Sequence, residues 1–227
     1  MNILTQPTAA VLRDLEEVFA RYEPLQVRYE PDELICQVGS YAAGVYLVTS
    51  GIVQESYADP GTRGNRVSMG LLGPGELIGI ELQLPDNERL HRTTCRAVTR
   101  VSLSFLERTA FAAAVEQHEL LRRFLATHLA ERCFGLAHAL WRSQLEASMR
   151  LSTLLFDLIR FGEPASPGHI ALPPQVDLRL LAGLSHLSHR QVKRVCASLP
   201  GVSWNDEEQL VFSPDEFSCW SSQETVG

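Results

Sequence analysis

Nine of the chain's fifteen glycines lie between Gly39 and Gly79, and this crowding limits the fold more than any other feature. The glycines punctuate short runs of β-branched and aromatic residues: VYLV (45–48), IVQESY (52–57), RVSMGLL (66–72) and, further on, CRAVTRVSLSF (95–105). Glycine is the default residue where a chain must turn sharply, so apolar runs bounded by glycines predict strands joined by tight turns. The segment ADPGTRGN (58–65) predicts a hairpin tip from its Asp, Pro and Gly content. Many short strands of this kind over residues 24–106 predict an all-β roll or sandwich.

The flanking segments change period. PTAAVLRDLEEVFAR (7–21) places Leu12, Leu15, Val18 and Phe19 at helical spacing. Beyond Leu106 glycines nearly vanish. FLERTAFAAAVEQ (105–117) predicts a short helix, and HELLRRFLATHLAERCFGLAHALWRSQ (118–144) a long one. On the long helix Ala126, Leu129, Cys133, Leu136 and Leu140 step by three and four residues, a heptad-like seam. Leu121, Phe124 and Leu125 form a second apolar strip. Two strips need two covers: the chain's own β domain for one, and a second copy of the helix for the other. A wholly internal core helix is the alternative.

EASMRLSTLLFDLIRFG (146–162) predicts another amphipathic helix, and EPASPGH (163–169) a loop of turn formers. DLRLLAGLS (177–185), a short turn, SHRQVKRVCASL (188–199), and two short strands, VSW (202–204) and QLVF (209–212), follow in the order of a winged helix-turn-helix. The last residues, PDEFSCWSSQETVG, carry no clear signal.

The chain is acidic, with a formal charge of −7, yet its single lysine, Lys193, stands between Arg190 and Arg194. No acid interrupts residues 178–204. At ~100° per residue, His189, Arg190, Lys193 and Arg194 share one face of a helix, and Val192, Val195 and Leu199 the opposite face. Ser188 is a suitable N-cap. Arginine can pair with guanine through two parallel hydrogen bonds and lysine can neutralise phosphate. Global acidity argues against non-specific nucleic-acid binding but leaves a basic contact face open. Two features oppose the usual pattern. His186 stands where glycine would ease a left-handed turn, and the hairpin tip Asn205-Asp206-Glu207-Glu208 is acidic.

In order and spacing these motifs resemble the CRP/FNR family, bacterial transcription regulators related to the cyclic-AMP receptor protein. GSYAAGVYLVTSGIV (39–53), LLGPGELIG (71–79), the long helix and LRLLAGLSHLSHRQVKRVCASL (178–199) carry the resemblance, which covers residues 10–213. It implies an α+β chain in three parts: a double-stranded β-helix or jelly roll over 1–117, a dimerisation helix over 118–144 and a winged helix-turn-helix over 145–227. It further implies a homodimer on a two-fold symmetric DNA site, with RNA polymerase as a partner and a junction near Ser143–Glu146. DNA contacts are expected from Ser188, His189, Arg190, Gln191, Lys193 and Arg194, and dimer contacts from Ala126, Leu129, Cys133, Leu136 and Leu140.

The implied effector pocket comprises Gly79, Ile80, Glu81, His91, Arg92 and Thr93, and departs from a cyclic-nucleotide site. Ile80 stands where the resemblance calls for the ribose-binding glutamate, with Glu81 one place late and pointing elsewhere. His91–Arg92 falls on the phosphate-binding arginine–serine pair, and Gly135, Leu136 and Ala137 lack the polar groups that would meet the base. Cyclic-nucleotide binding is therefore not expected. The five cysteines are scattered without CxxC, so buried thiols are expected rather than a zinc site or iron–sulfur cluster. Haem could use only His91 or Cys95, and is not indicated. A disulfide between Cys133 and its symmetry mate is conceivable, though a small buried hydrophobe is the simpler reading.

No catalytic or metal site is expected. GxSxG, HExxH and P-loop patterns are missing, and the strand region offers one histidine, His91. The rival reading is a ligand- or cyclic-nucleotide-binding module without DNA binding. No apolar run approaches ~20 residues, and the N-terminus lacks a basic segment followed by an apolar core, so a cytoplasmic protein without a membrane span is expected.

Overall fold

The computed structural model describes residues 9–58, 66–83, 89–213 and 215–216. They fall into two compact units divided between Phe134 and Gly135, inside one helix.

The first unit opens with α1 (Ala9–Ala20) and continues through eight strands: β1 (Leu25–Tyr29), β2 (Leu34–Cys36), β3 (Gly44–Ser50), β4 (Val53–Ala58), β5 (Arg66–Leu72), β6 (Leu77–Ile78), β7 (Thr94–Ala97) and β8 (Val101–Glu107). They form two antiparallel four-stranded sheets, ordered β1-β8-β3-β6 and β2-β7-β4-β5. Ile35, Cys36, Val53, Leu72, Cys95 and Ala97 of the second sheet pack with Val48, Ile78, Val101 and Leu103 of the first. This is the sandwich interior, a jelly roll as expected. The other face of the first sheet offers Val45, Leu47, Leu77 and Leu106 to Leu15, Val18 and Phe19 of α1 and to Phe111 and Ala114 of α2 (Arg108–Gln117). Fully burying side chains of this size contributes roughly 1.5–3 kcal/mol each.

Turn chemistry positions these strands. Gly51 has φ +86°, and a Cβ there would stand 2.2 Å from the Arg100 carbonyl oxygen. That close approach lets β3 turn into β4. The β4–β5 hairpin forms as expected, with the 59–65 part of its tip outside the described residues. Two boundaries differ from expectation. CRAVTRVSLSF is two strands in different sheets, split where Thr99 Oγ1 accepts a 2.9 Å bond from the Ile52 amide. Phe105 and Leu106 also stay in β8 rather than beginning a helix, because they pair with Tyr46 and Val45 of β3.

Helix α3 (Glu119–Ser143) runs from the first unit into the second. Its second strip behaves as the spacing predicts: Leu121 is buried in the helix-facing cluster, and Phe124 and Leu125 pack on it. The seam residues Ala126, Leu129, Cys133, Leu136 and Leu140 are all exposed in the single chain. Cys133 is exposed with them in the single chain.

The second unit holds α4 (Ala147–Leu158), extended by a 3-10 turn (Ile159–Phe161), then β9 (Glu163–Ser166), β10 (His169–Ala171), α5 (Leu178–Ser185), α6 (His189–Ser198), β11 (Val202–Trp204) and β12 (Leu210–Phe212). EPASPGH is thus not a plain loop. Its turn formers sit at the tip of a β9–β10 hairpin, held because β10 pairs with β12 in the sheet β11-β12-β10-β9. Leu151, Leu155, Leu181, Val192, Leu210 and Phe212 are buried in this unit. The end of α3 is tied to α4 by Asp157, which accepts from Arg142 and lies 3.6 Å from His138 Nδ1.

Candidate functional site

Two arrangements of polar side chains merit a functional reading. The first is α6. Its N-terminus closes with a capping box: Ser188 Oγ accepts from the Gln191 amide, and Gln191 Oε1 accepts from the Ser188 amide at 2.9 Å. The cap fixes the first turn, so His189 and Arg190 are held on a defined surface. His189, Arg190, Lys193 and Arg194 are exposed on one face, while Val192, Val195 and Cys196 are buried on the other. Among the described residues no acid pairs with Arg190, Lys193 or Arg194. Gln191, expected to face outward, is half-buried and spends its side-chain carbonyl on the cap.

The turn before α6 takes the left-handed conformation expected at His186, with φ 54° and ψ 37°. Asp177 caps α5 through a 2.8 Å bond from the Leu180 amide. The acidic tip is a turn organised by Asn205, whose Oδ1 accepts from the Glu207 and Gln209 amides. Its three acids are exposed.

The second arrangement lies in the β sandwich. On β4 and β7, alternation directs Val53, Glu55, Cys95 and Ala97 to one face. Strand register then lines up Cys36 opposite Cys95, Cys95 opposite Glu55, and Glu55 opposite Gly70, a row across the sheet. Glu55 stands where a strand of this phase would ordinarily carry an apolar residue. It is compensated twice: Thr93 Oγ1 donates to its Oε1 at 3.0 Å, and Arg132 reaches in from α3 to donate to Oε2. Burial opposes the charge on Arg132, but Glu55 outweighs it and raises the guanidinium's pKa. One turn earlier, His128 is 2% exposed, stacks on Phe124 and has no hydrogen-bond partner at Nε2 among the described residues. Burial and then the Arg132 charge push its pKa down to about 4.

The expected pocket residues divide around this row. Gly79, with φ +87°, brings its backbone close to Gly44 and His91, and a Cβ there would meet the Gly44 carbonyl oxygen at 2.8 Å. Ile80 packs with the helix-facing apolar cluster. The Glu81 carboxylate lies 3.3 Å from His91 Nδ1 and accepts from the Arg92 amide. Arg92 is exposed, whereas His91 is buried. Nearby, the Cys36 thiol donates to the Thr93 carbonyl at 3.9 Å. Burial disfavours imidazolium, but Cys36 and Glu81 outweigh it and raise His91 to about 9.

Reading by motif missed Cys36, Cys95, Glu55, Arg132 and His128. The signal for Glu55 and Cys95 was the inward phase of their strands. Among the described residues, no group of three or more His, Cys, Asp or Glu is arranged to hold a metal ion, and no helix is long and apolar enough to cross a membrane.

A β sandwich, a long helix with an exposed apolar seam and a winged helix-turn-helix together define the architecture. Comparison with known proteins agrees. Residues 26–118 match the family model for a cyclic nucleotide-binding domain. The chain is 28% identical over 118 residues to the HTH-type transcriptional regulator Cmr of Mycobacterium tuberculosis, a match spanning 52% of this chain and 46% of Cmr. FixK2 from Bradyrhizobium japonicum shares the fold with a TM-score of 0.70 at 20% identity, covering 86% of this chain and 96% of FixK2. TTHA1359, a CRP/FNR-family transcriptional regulator from Thermus thermophilus, does so at 0.67 and 18%, covering 87% and 98%. In fold the chain is thus similar to a CRP/FNR-family transcriptional regulator.

Proposed function

We propose that the chain is a sequence-specific DNA-binding transcription regulator acting as a homodimer. The observation that carries this reading is the outward face of α6, where four basic or titratable side chains stand unopposed on a capped helix inside a winged helix-turn-helix. Cations in the first turn oppose the helix dipole, at a cost of roughly 0.3–1 kcal/mol. A phosphate- and guanine-bearing groove offsets that cost. Arg194 and Arg190 are suited to guanine and Lys193 to phosphate, with Ser188 and His189 beside them. Gln191 acts through the cap. The acidic wing tip stays clear of the DNA backbone.

The seam Ala126, Leu129, Cys133, Leu136 and Leu140 supplies the dimer contact, so each head reads one half of a two-fold symmetric site. The working division is a sensor-like part (1–117), a dimerisation helix (118–144) and a DNA-binding part (145–227). RNA polymerase is a partner by family resemblance alone. The sandwich interior does not fit a cyclic nucleotide: Ile80 is apolar, Glu81 is committed to His91 and the Arg92 amide, and Arg132 is neutralised by Glu55.

The test is selection from a random duplex pool with purified protein, followed by fluorescence anisotropy on the enriched site. A two-fold symmetric consensus is expected. Arg194→Ala should weaken specific binding by about 1–3 kcal/mol and relax one position in each half-site. An unenriched pool would favour a ligand-binding module without DNA binding.

A further inference from the structure

The row across the second sheet brings two cysteines together that are far apart in sequence. Cys36 and Cys95 are partners across the antiparallel pair β2–β7. Residues so placed have Cα atoms about 4.5–5.5 Å apart, inside the range a disulfide spans. The Cys36 thiol donates to the Thr93 carbonyl at 3.9 Å, and the Thr93 hydroxyl lies 4.0 Å from Cys95 Sγ. The register shifts between Leu34 and Cys36, so β2 is locally irregular beside the pair. Cys36 lies on an edge strand and is 6% exposed, whereas Cys95 is 0% exposed on the neighbouring strand. Glu81 orients the buried His91 through Nδ1, and His91 acts electrostatically on Cys36.

We propose that Cys36 and Cys95 form a reversible dithiol–disulfide couple inside the sandwich, oxidised by a hydroperoxide that reacts first at Cys36. The Cys36 thiolate attacks the distal oxygen of the peroxide. The O–O bond breaks, sulfur is oxidised by two electrons to the sulfenic acid, and the departing alkoxide takes a proton from His91 imidazolium. The Cys95 sulfur then attacks the sulfenic sulfur. The S–S bond forms, the S–O bond breaks, and hydroxide leaves as water with the Cys95 thiol proton. A dithiol restores both thiols by exchange. Burial restricts the oxidant to a small molecule, since a bulky disulfide cannot reach Cys36.

The electrostatics support this order. Cys95 and then His91 hold Cys36 below the ordinary thiol range despite burial, while Cys36 and then burial push Cys95 well above it. The attacking sulfur is the one beside the cation, and the resolving sulfur stays protonated until needed. Tyr29 and Tyr46 face Cys36 from β1 and β3 and are both raised by burial, so they remain neutral, and Glu55 faces Cys95.

The test uses the full chain, reduced and then treated with hydrogen peroxide before alkylation in denaturant. Two of the five cysteines should become resistant to alkylation, and a non-reducing peptide map should join Cys36 to Cys95, reversibly with dithiothreitol. Dimedone should label Cys36 in Cys95→Ala, but not Cys95 in Cys36→Ala. His91→Gln should raise the pH midpoint of native Cys36 alkylation towards the ordinary thiol value of about 8.5. Cys36 and Cys95 both remaining alkylatable after peroxide, oxidation confined to Cys133, or an unmoved midpoint in His91→Gln would overturn the proposal. The wild-type map decides the matter even if a variant fails to fold. None of these readouts involves DNA, so they stand apart from the DNA-binding reading.

Discussion

Arg132→Met isolates the buried ion pair at the centre of the sandwich. Methionine keeps most of the aliphatic stem and removes the charge. Among the described residues Glu55, whose side chain is 9% exposed, is then left with the Thr93 hydroxyl at 3.0 Å as its remaining partner. Breaking a buried pair in this way typically costs about 3–5 kcal/mol. The variant should therefore lose about 3–5 kcal/mol relative to wild type in urea unfolding at pH 7. Glu55→Gln/Arg132→Met should recover most of the loss, since the amide still accepts from Thr93 and no charge is stranded. A loss under about 1 kcal/mol, or a double variant as unstable as the single one, would refute the assignment of a compensated buried charge.

Three further outcomes are expected. His128 has a folded pKa of about 4 against about 6.5 unfolded, so its contribution is complete above pH 6.5 and lost as pH falls towards 4. The loss is about 3 kcal/mol, and His128→Leu should flatten that part of the stability–pH curve measured by urea titration. Leu136→Glu, on the exposed seam, should convert a dimer to a monomer in light scattering at micromolar concentration while leaving circular dichroism unchanged. Ser188→Ala removes the N-cap acceptor of α6 and should cost about 1 kcal/mol in thermal unfolding, with a parallel loss of DNA affinity.

Much of the architecture was legible in the residues because it depends on local period. The glycine-bounded strands, the two strips of α3, the Ser188 cap and the left-handed turn at His186 all follow from neighbours a few positions apart. The misread boundaries have one cause. CRAVTRVSLSF looks continuous, but its halves belong to different sheets with different partners. EPASPGH has the composition of a loop, yet β12 supplies an edge that draws β10 into a strand. Pairing partners distant in the chain decided both.

The same division holds for the candidate sites. The basic face of α6 could be read from the sequence alone, because a helix converts spacing directly into facing direction. The sandwich site could not. Cys36, Cys95, Glu55 and Arg132 have no common spacing, and each alone reads as an idle thiol, a surface acid or a surface cation. Only the strand register, together with a helix laid close enough for one arginine to reach inside, turns them into a row of interacting groups. Register is set by long-range hydrogen bonding and by which faces must be buried, and neither quantity is carried by a local stretch of sequence.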